Sequence, residues 1–222
     1  MKKTEETVLT VEDAKKMTGI HYTINHTGKM KGMQSLSTSC LENPYCRAYA
    51  SDPEKICSHC YAERQMNCYK SMQKCLADNT KILTTCRLQF DEIPLLNAAL
   101  FRFEAFGDIQ NETQVVNYFN ICNKNPHVNF ALWTKNPEII KRVIENLEEE
   151  KPDNLQIVLS SHYLNKVEDC SKYDFIDKVF TVYSNDYINE NNVEINCGES
   201  ICLACRKCYF DNGIKYICEK LK

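Results

Sequence analysis

Four apolar segments, which follow one another at intervals of about 25 residues, constrain the fold of this chain most. They are LFRFEAF (100–106), HVNFALWT (127–134), NLQIVLSS (154–161) and DKVFTVYS (177–184). Between them lie two predicted helices, 111–125 and 136–150, and the second opens with Asn136 as N-cap and Pro137 in the first helical position. Strands and helices that alternate at this spacing form successive βα units. The sequence therefore predicts an α/β fold with a parallel sheet.

Each predicted strand is followed by polar residues that are capable of binding or of acid/base chemistry. These residues are Gly107 and Asp108, Thr134 and Lys135, Ser160 to His162, and Ser184 with Asn185. In parallel α/β folds the functional site forms at the carboxyl ends of the strands, which favours Asp108 and Lys135 as site residues. The alternative is that these positions are polar only because they begin exposed loops.

The composition suits one globular domain and excludes some classes of protein. The chain has 222 residues, of which 43% are hydrophobic and 26% are charged. Its net charge of −3 gives no bulk attraction to nucleic acid or to anionic membranes. No run of 18 apolar residues is present, and residues 1–16 lack the apolar segment of a signal peptide, so we expect a cytoplasmic protein.

We expect three regions within a single domain of residues 1–222. Residues 1–35 form a lead-in with one short helix, for which Thr10 is the N-cap and Gly19 the stop. Residues 36–185 form the βα core, which starts with a long cysteine-rich loop and continues into a predicted helix at 61–83. Residues 186–222 form a cysteine-rich C-terminal segment.

The 14 cysteines are the strongest chemical signal in the chain. A reducing cytoplasm disfavours disulfides, so closely spaced cysteines indicate ligands for a metal or an iron–sulfur cluster. The first group is Cys40, Cys46, Cys57 and Cys60, and the second group is Cys197, Cys202, Cys205 and Cys208. Most of the remaining cysteines are assigned to packing, because a buried free cysteine behaves as a small apolar residue.

The second group has the spacing C-x4-C-x2-C-x2-C, and tight runs of this kind are typical of iron–sulfur ligation. Zinc sites favour two separated C-x2-C pairs, and Cys57 with Cys60 could supply one pair while Cys202 with Cys205 supplies the other. The spacing therefore favours an iron–sulfur cluster, with zinc as the alternative. The ligands suffice for two sites or for one site built from both groups.

Four stretches, in one order along the chain, resemble a family of small phage and prophage proteins of the mycobacteriophage early-protein type. They are CSHCYA (57–62), FRFEAFGDIQ (101–110), TKNP (134–137) and CLACRKCYF (202–210). Proteins of this kind are in turn distantly similar to the radical S-adenosylmethionine (SAM) superfamily, which places three cysteines after the first strand of a partial (β/α) barrel. The resemblance implies a partial (β/α) barrel of parallel strands that acts in the cytoplasm of a bacterial host.

The resemblance also implies a cofactor and a reaction. Cys40, Cys57 and Cys60 would hold a 4Fe–4S-type cluster, although Cys57 follows Cys40 by 17 positions where the superfamily usually has C-x3-C. The second group would supply an auxiliary cluster or further ligands. The reaction would be the reductive cleavage of SAM, followed by radical chemistry on a small-molecule or macromolecular substrate.

Five further residues have roles in this interpretation. Gly107 lies roughly where the superfamily holds the amino group of SAM, and Arg102 is either structural or binds an anion. Asp108, Glu104 and Lys135 would line the cavity as polar contacts or acid/base groups.

Two other functions remain open from the sequence. One is a non-enzymatic binding module, stapled by zinc or by a cluster, which acts on a host protein. The other is a nucleic-acid-binding protein, which needs a basic surface with exposed aromatic residues and has no support from the net charge.

Overall fold

The computed structural model describes residues 9–24, 26–198 and 200–221, and six parallel strands form one sheet. The strands are β1 (Gln34–Leu36), β2 (Leu100–Phe103), β3 (Asn129–Thr134), β4 (Leu155–Ser160), β5 (Lys178–Tyr183) and β6 (Tyr216–Lys220). They lie side by side in chain order, and within the described ranges β1 does not pair with β6. The predicted α/β fold is therefore confirmed, as a parallel sheet that stays open.

Helices connect the strands. Over the described ranges they are α1 (Val11–Thr18), α2 (Pro44–Ala50), α3 (Tyr61–Cys68), α4 (Lys70–Thr85), α5 (Glu112–Lys124), α6 (Pro137–Asn146), α7 (Asn185–Asn191) and α8 (Cys202–Cys205). Thr10 caps α1 together with Asp13, and Gly19 ends it in the left-handed conformation, as the sequence predicts. Residues 1–8 lie outside the described residues. They belong to the predicted lead-in and to the segment for which no signal peptide is predicted.

The strand order places the connecting helices on one face of the sheet. When consecutive parallel strands are neighbours, right-handed crossovers all pass over the same face. The largest apolar cluster fills that side, where Phe103 stacks on Tyr118 of α5 at 4.2 Å and on Phe130 of β3 at 5.3 Å between ring centroids. The opposite face, which we call the open face, carries Leu100 and is covered by Tyr209 and other residues of the C-terminal segment.

The first and last strands of the sheet are not among the four strands that the sequence predicts. β1 has only three residues and begins at Gln34, inside the predicted lead-in. β6 lies in the C-terminal segment, which also contains α7 and α8. Both flanking regions therefore contribute a strand to the sheet of the core.

The cysteine-rich segment before Cys60 is partly helical, so the prediction of one long loop is wrong. Asn43 accepts hydrogen bonds from the N–H groups of Tyr45 and Cys46, and Pro44 occupies the first turn of α2. An asparagine followed by a proline is a common start of a helix, which explains why α2 forms here.

The predicted helix at 61–83 is also corrected, because it is interrupted at Tyr69, whose backbone is extended. Of the remaining cysteines, most of which the sequence assigns to packing, Cys122 is fully buried. Cys68 and Cys86 are exposed and do not pack in the core. The burial of the two groups of predicted ligands is described below.

Glycine is required at residue 107, in the turn after β2. Its φ is +79°, and a Cβ atom there would lie 2.5 Å from the carbonyl oxygen of Thr38. We expect Gly107→Ala to lower the free energy of unfolding by about 2–4 kcal/mol, since left-handed strain and a clash with backbone add together. Chemical denaturation measures this loss.

Gly213→Ala is the matched control. Gly213 has a φ of +72° but nothing within 4 Å of an added Cβ, so only the strain of about 1 kcal/mol applies. A loss at Gly107 no larger than the loss at Gly213 would contradict the close approach to Thr38.

Candidate metal centre and active site at the carboxyl edge of the sheet

The segment that follows β1, residues 37–60, lies across the carboxyl ends of β2, β3 and β4, a region that we call the carboxyl edge. Three hydrogen bonds fasten it there: Asn43 Nδ2 to Asp108 O (2.8 Å), Tyr45 Oη to Lys135 O (2.7 Å) and Ile56 N to His162 O (2.9 Å). Each acceptor is a carbonyl oxygen just beyond a different strand. The first cysteine group is thereby held over the edge at which parallel α/β proteins place their sites.

The four thiols of the first group are brought together by this segment. Cys40 is buried, and Cys46, Cys57 and Cys60 are half-buried. Each thiol lies within electrostatic range of at least two of the others, and the thiols of Cys40 and Cys60 are hydrogen-bonded to each other. His59, between the last two cysteines, is exposed.

Local structure separates the proton affinities of these thiols. The hydrogen bond with Cys40 and two backbone N–H groups at the start of α3 lower the pKa of Cys60. The same hydrogen bond, together with burial, raises the pKa of Cys40, and burial raises the pKa of Cys46 and of Cys57. A metal or cluster would have to displace these protons, so its binding at this edge would strengthen as the pH rises.

The Asp108 carboxylate joins the end of β2 to the end of β3. One oxygen accepts hydrogen bonds from the Thr134 hydroxyl at 2.6 Å and from Ile109 N–H at 2.8 Å. The other oxygen accepts from Lys135 N–H at 2.8 Å. Burial raises the pKa of Asp108 to about 6, and the three donors act against that rise. With both oxygens occupied, the carboxylate fixes the relative positions of the two strand ends.

The Lys135 side chain extends from β3 across the end of β4. Its ammonium donates to the Ser160 hydroxyl at 2.8 Å and to the carbonyl oxygen of Ser161. Desolvation lowers the pKa of Lys135, while the nearby Cys57 thiol and Asp108 carboxylate oppose that change. This ammonium therefore lies close to the first cysteine group, as its position at a strand end predicts.

Glu104 lies deeper than the sequence analysis suggests. It follows β2 directly with a φ of +54°, and its side chain is almost fully buried. It accepts hydrogen bonds from the N–H and hydroxyl of Thr38 at 3.1 and 3.0 Å, from Gln114 Nε2 at 2.7 Å and from the Tyr118 hydroxyl. These contacts tie the end of β1 to α5 and give Glu104 a structural role. Its predicted acid/base role stays a prediction.

A chain of three hydrogen-bonded side chains, which no sequence motif indicates, borders the carboxyl edge. The Tyr45 hydroxyl lies 2.7 Å from His162 Nε2, and His162 Nδ1 lies 2.9 Å from a carboxylate oxygen of Glu168. His162 stands among the predicted strand-end residues. Tyr45 and Glu168 have no motif around them, because their contacts depend on the fold alone.

The second cysteine group lies in different surroundings. Cys197, Cys202 and Cys208 pack on the open face with Tyr209 and Ile217, whereas Cys40, Cys46 and Cys60 of the first group pack with Met66 of α3. Arg102, predicted as structural or as an anion contact, also lies on the open face, where its guanidinium stacks on the Trp133 ring at 4.2 Å. The fold thus keeps the two groups of thiols in separate apolar clusters.

Neither group forms a ready site for one metal ion. Among residues 9–24, 26–198 and 200–221, no three His, Cys, Asp or Glu side chains are grouped closely enough to hold one ion. In the same ranges no helix is both long enough and apolar enough to cross a membrane.

Comparison with known proteins gives one match. A family model described as "Gene product 88" matches residues 1–220, which is nearly the whole chain. This description fits the phage gene-product family that the four sequence stretches resemble. No curated protein and no solved structure matches the chain.

The buried carboxyls make stability depend on pH in a defined direction. Burial raises the pKa of Glu104 from 4.5 to about 8, so the folded state keeps a proton that the unfolded chain has lost. Stability is therefore full below about pH 4.5 and declines as the pH rises toward about 8. We expect Glu104→Gln to reduce this decline between about pH 6 and 8, as measured by urea denaturation of the metal-free protein.

Asp108→Asn is the control, because the corresponding window for Asp108 lies lower, between 3.8 and about 6. A decline between pH 6 and 8 that is equally steep in the Glu104→Gln variant and the unmodified chain would refute this origin.

Proposed function

We propose that this chain, which belongs to the gene product 88 family, is an iron–sulfur protein with a 4Fe–4S-type cluster at the carboxyl edge. Cys40, Cys57 and Cys60 would hold the cluster. The observation that carries the proposal is the convergence of these thiols, from a segment after β1, over the ends of an open parallel sheet. The finer resemblance, to mycobacteriophage early proteins and distantly to the radical SAM superfamily, is part of the same proposal.

The first group of thiols supplies ligands of a type that both an iron–sulfur cluster and a zinc ion accept. The Cys40 and Cys60 thiols are hydrogen-bonded to each other, and no three potential ligands in the described part of the chain are grouped closely enough for one ion. The preference for a cluster comes from the resemblance, in which three cysteines after the first strand hold it.

Three cysteine ligands would leave one iron of the cube without a protein ligand. Held by Cys40, Cys57 and Cys60, such a cluster would supply one electron, taken from an external reductant, for the reductive cleavage of SAM to methionine and a 5′-deoxyadenosyl radical. The substrate of that radical would bind on the same side of the sheet. We expect the reaction to occur inside a bacterial host cell.

The chain's own residues would shape this site. Gly107 lets the turn after β2 approach the backbone of Thr38, which keeps the first cysteine of the segment next to the strand ends. Asp108 holds β2 and β3 in register and orients the Lys135 backbone. The Lys135 ammonium, beside Cys57, would offset part of the negative charge of the ligating thiolates.

We expect Cys57→Ser/Cys60→Ser to remove one cluster per chain from protein that is purified or reconstituted without oxygen. Iron and acid-labile sulfide would fall together, with loss of absorbance near ~400 nm that arises from sulfur-to-iron charge transfer. Cys68→Ser/Cys86→Ser is the matched control, since both residues are exposed cysteines outside the two groups, and it should keep the full content. Colourless protein with stoichiometric zinc would refute the cluster and favour the zinc-stapled module.

Cys46 decides whether one iron is open. Its thiol lies near Cys57 and Cys60, so it could serve as a fourth ligand. We expect Cys46→Ser to retain the cluster, because three cysteines suffice for a cluster with an open iron. Iron and sulfide analysis measures this, and a loss as large as that of Cys57→Ser/Cys60→Ser would remove the basis for SAM chemistry.

SAM itself provides a direct test. With dithionite as the electron donor, adding SAM should change the electron paramagnetic resonance (EPR) signal of the reduced cluster and yield 5′-deoxyadenosine and methionine. The Cys57→Ser/Cys60→Ser variant should give neither product. A reduced cluster whose signal is unchanged by SAM, with no products, would limit the function to cluster binding.

A further inference from the structure

The second cysteine group is assembled from two parts of the C-terminal segment. Cys197 lies beside β6, where it forms a parallel bridge with Glu219. Cys202 and Cys205 begin and end α8, which packs against residues 28–30, and Cys208 is half-buried on the open face. Cys197, Cys202 and Cys205 all lie within electrostatic range of Cys208.

Two buried donors on the open face have no hydrogen-bond partner. They are Arg102 Nε and Trp133 Nε1, which belong to side chains that stack on each other. A terminal nitrogen of Arg102 makes only a long contact of 3.8 Å with the Met30 sulfur, and no salt bridge joins Arg102 to a carboxylate in the described part of the chain. A buried N–H without an acceptor is costly, and an acceptor with negative charge would satisfy it and balance the guanidinium.

The second group of thiols could supply that charge. Arg102 lies within electrostatic range of both Cys202 and Cys208. Lys29 adds a second cation, whose ammonium lies 2.9 Å from Cys197 Sγ and 2.8 Å from Glu219 Oε1. Arg102, which stacks on Trp133, and Lys29 are therefore two cations beside the same group of thiols.

We infer that Cys197, Cys202, Cys205 and Cys208 hold a second iron–sulfur cluster on the open face, with Arg102 as its counter-ion. Ligation converts four thiols to thiolates, which supplies the negative charge that Arg102 lacks. Four cysteines complete the cube, so this cluster has no open iron and is distinct in kind from the one proposed at the carboxyl edge.

Counting clusters separates this inference from the proposed function. Iron and sulfide are measured after anaerobic reconstitution of the unmodified chain, of Cys57→Ser/Cys60→Ser and of Cys202→Ser/Cys205→Ser. We expect two clusters in the unmodified chain and one in each variant, a two-fold fall in both cases. Circular dichroism verifies that the variants are folded.

The other outcomes are equally clear. Full iron content in Cys202→Ser/Cys205→Ser overturns the second cluster and leaves the proposed function intact. A single cluster that both variants lose also overturns it, because one site would then use both groups. One zinc ion per chain, lost only from Cys202→Ser/Cys205→Ser, overturns the iron–sulfur assignment. Unchanged iron and sulfide content in Cys57→Ser/Cys60→Ser would count against the proposed function and not against the second cluster.

The role of Arg102 is tested by the reduction potential of the second cluster, measured in the Cys57→Ser/Cys60→Ser protein. Reduction adds negative charge, which a nearby cation stabilises, so Arg102→Gln should shift the potential to more negative values. Arg102→Lys should restore part of the shift. Arg142→Gln is the matched control, because Arg142 is exposed and pairs with Glu112 on the helical face. An unchanged potential in Arg102→Gln overturns the counter-ion role, and Arg102 would then be free to bind an anionic substrate.

Discussion

The buried carboxylate of Asp108 is the interaction on which the candidate site depends. It accepts hydrogen bonds from the residues that end β3, and its own carbonyl oxygen accepts from Asn43 at the start of α2. One residue therefore connects two strand ends and the cysteine-bearing segment. Burial of a charged carboxylate would be unfavourable without these donors. The hydrogen bonds at the edge therefore stabilise the ionised form of Asp108, and the ionised form in turn holds the strand ends together.

The sequence predicts the elements whose signals are local. The α1 caps at Thr10 and Gly19 and the start of α6 at Pro137 depend on neighbouring residues, and the structure has them as expected. The predicted end of that helix at 150 is wrong, since α6 ends at Asn146, and the Asn136 side chain makes no capping hydrogen bond. β1 escapes prediction because three residues are too few to show a period. The start of α2 does have a local signal, an asparagine N-cap at Asn43 followed by Pro44. The many cysteines, serines and aspartates around it favour a loop and hide that signal.

The site shows the same division. Asp108 and Lys135 can be found because strand ends in a parallel sheet meet at one edge. The Tyr45–His162–Glu168 chain cannot, since Tyr45 and His162 are 117 positions apart and only the crossing of the segment over β4 joins them. The same applies to Arg102, whose unpaired state depends on packing against Trp133 from the next strand. Glu104 is the opposite case. Its position after a strand suggests an acid/base group, but in the structure hydrogen-bond donors from the end of β1 and from α5 surround its carboxylate.

The order of the strands has a consequence for the sequence of events during synthesis. Translation delivers β1 to β4 first, and a domain can begin to fold as its chain emerges. The segment that carries the first group of thiols can make its last contact with the strand ends once His162 has left the ribosome. The second group of thiols packs against β6, so it cannot assemble until Ile217 and Glu219 have been synthesised. The two groups of thiols therefore assemble at different times, and the first one assembles while the open face is still uncovered.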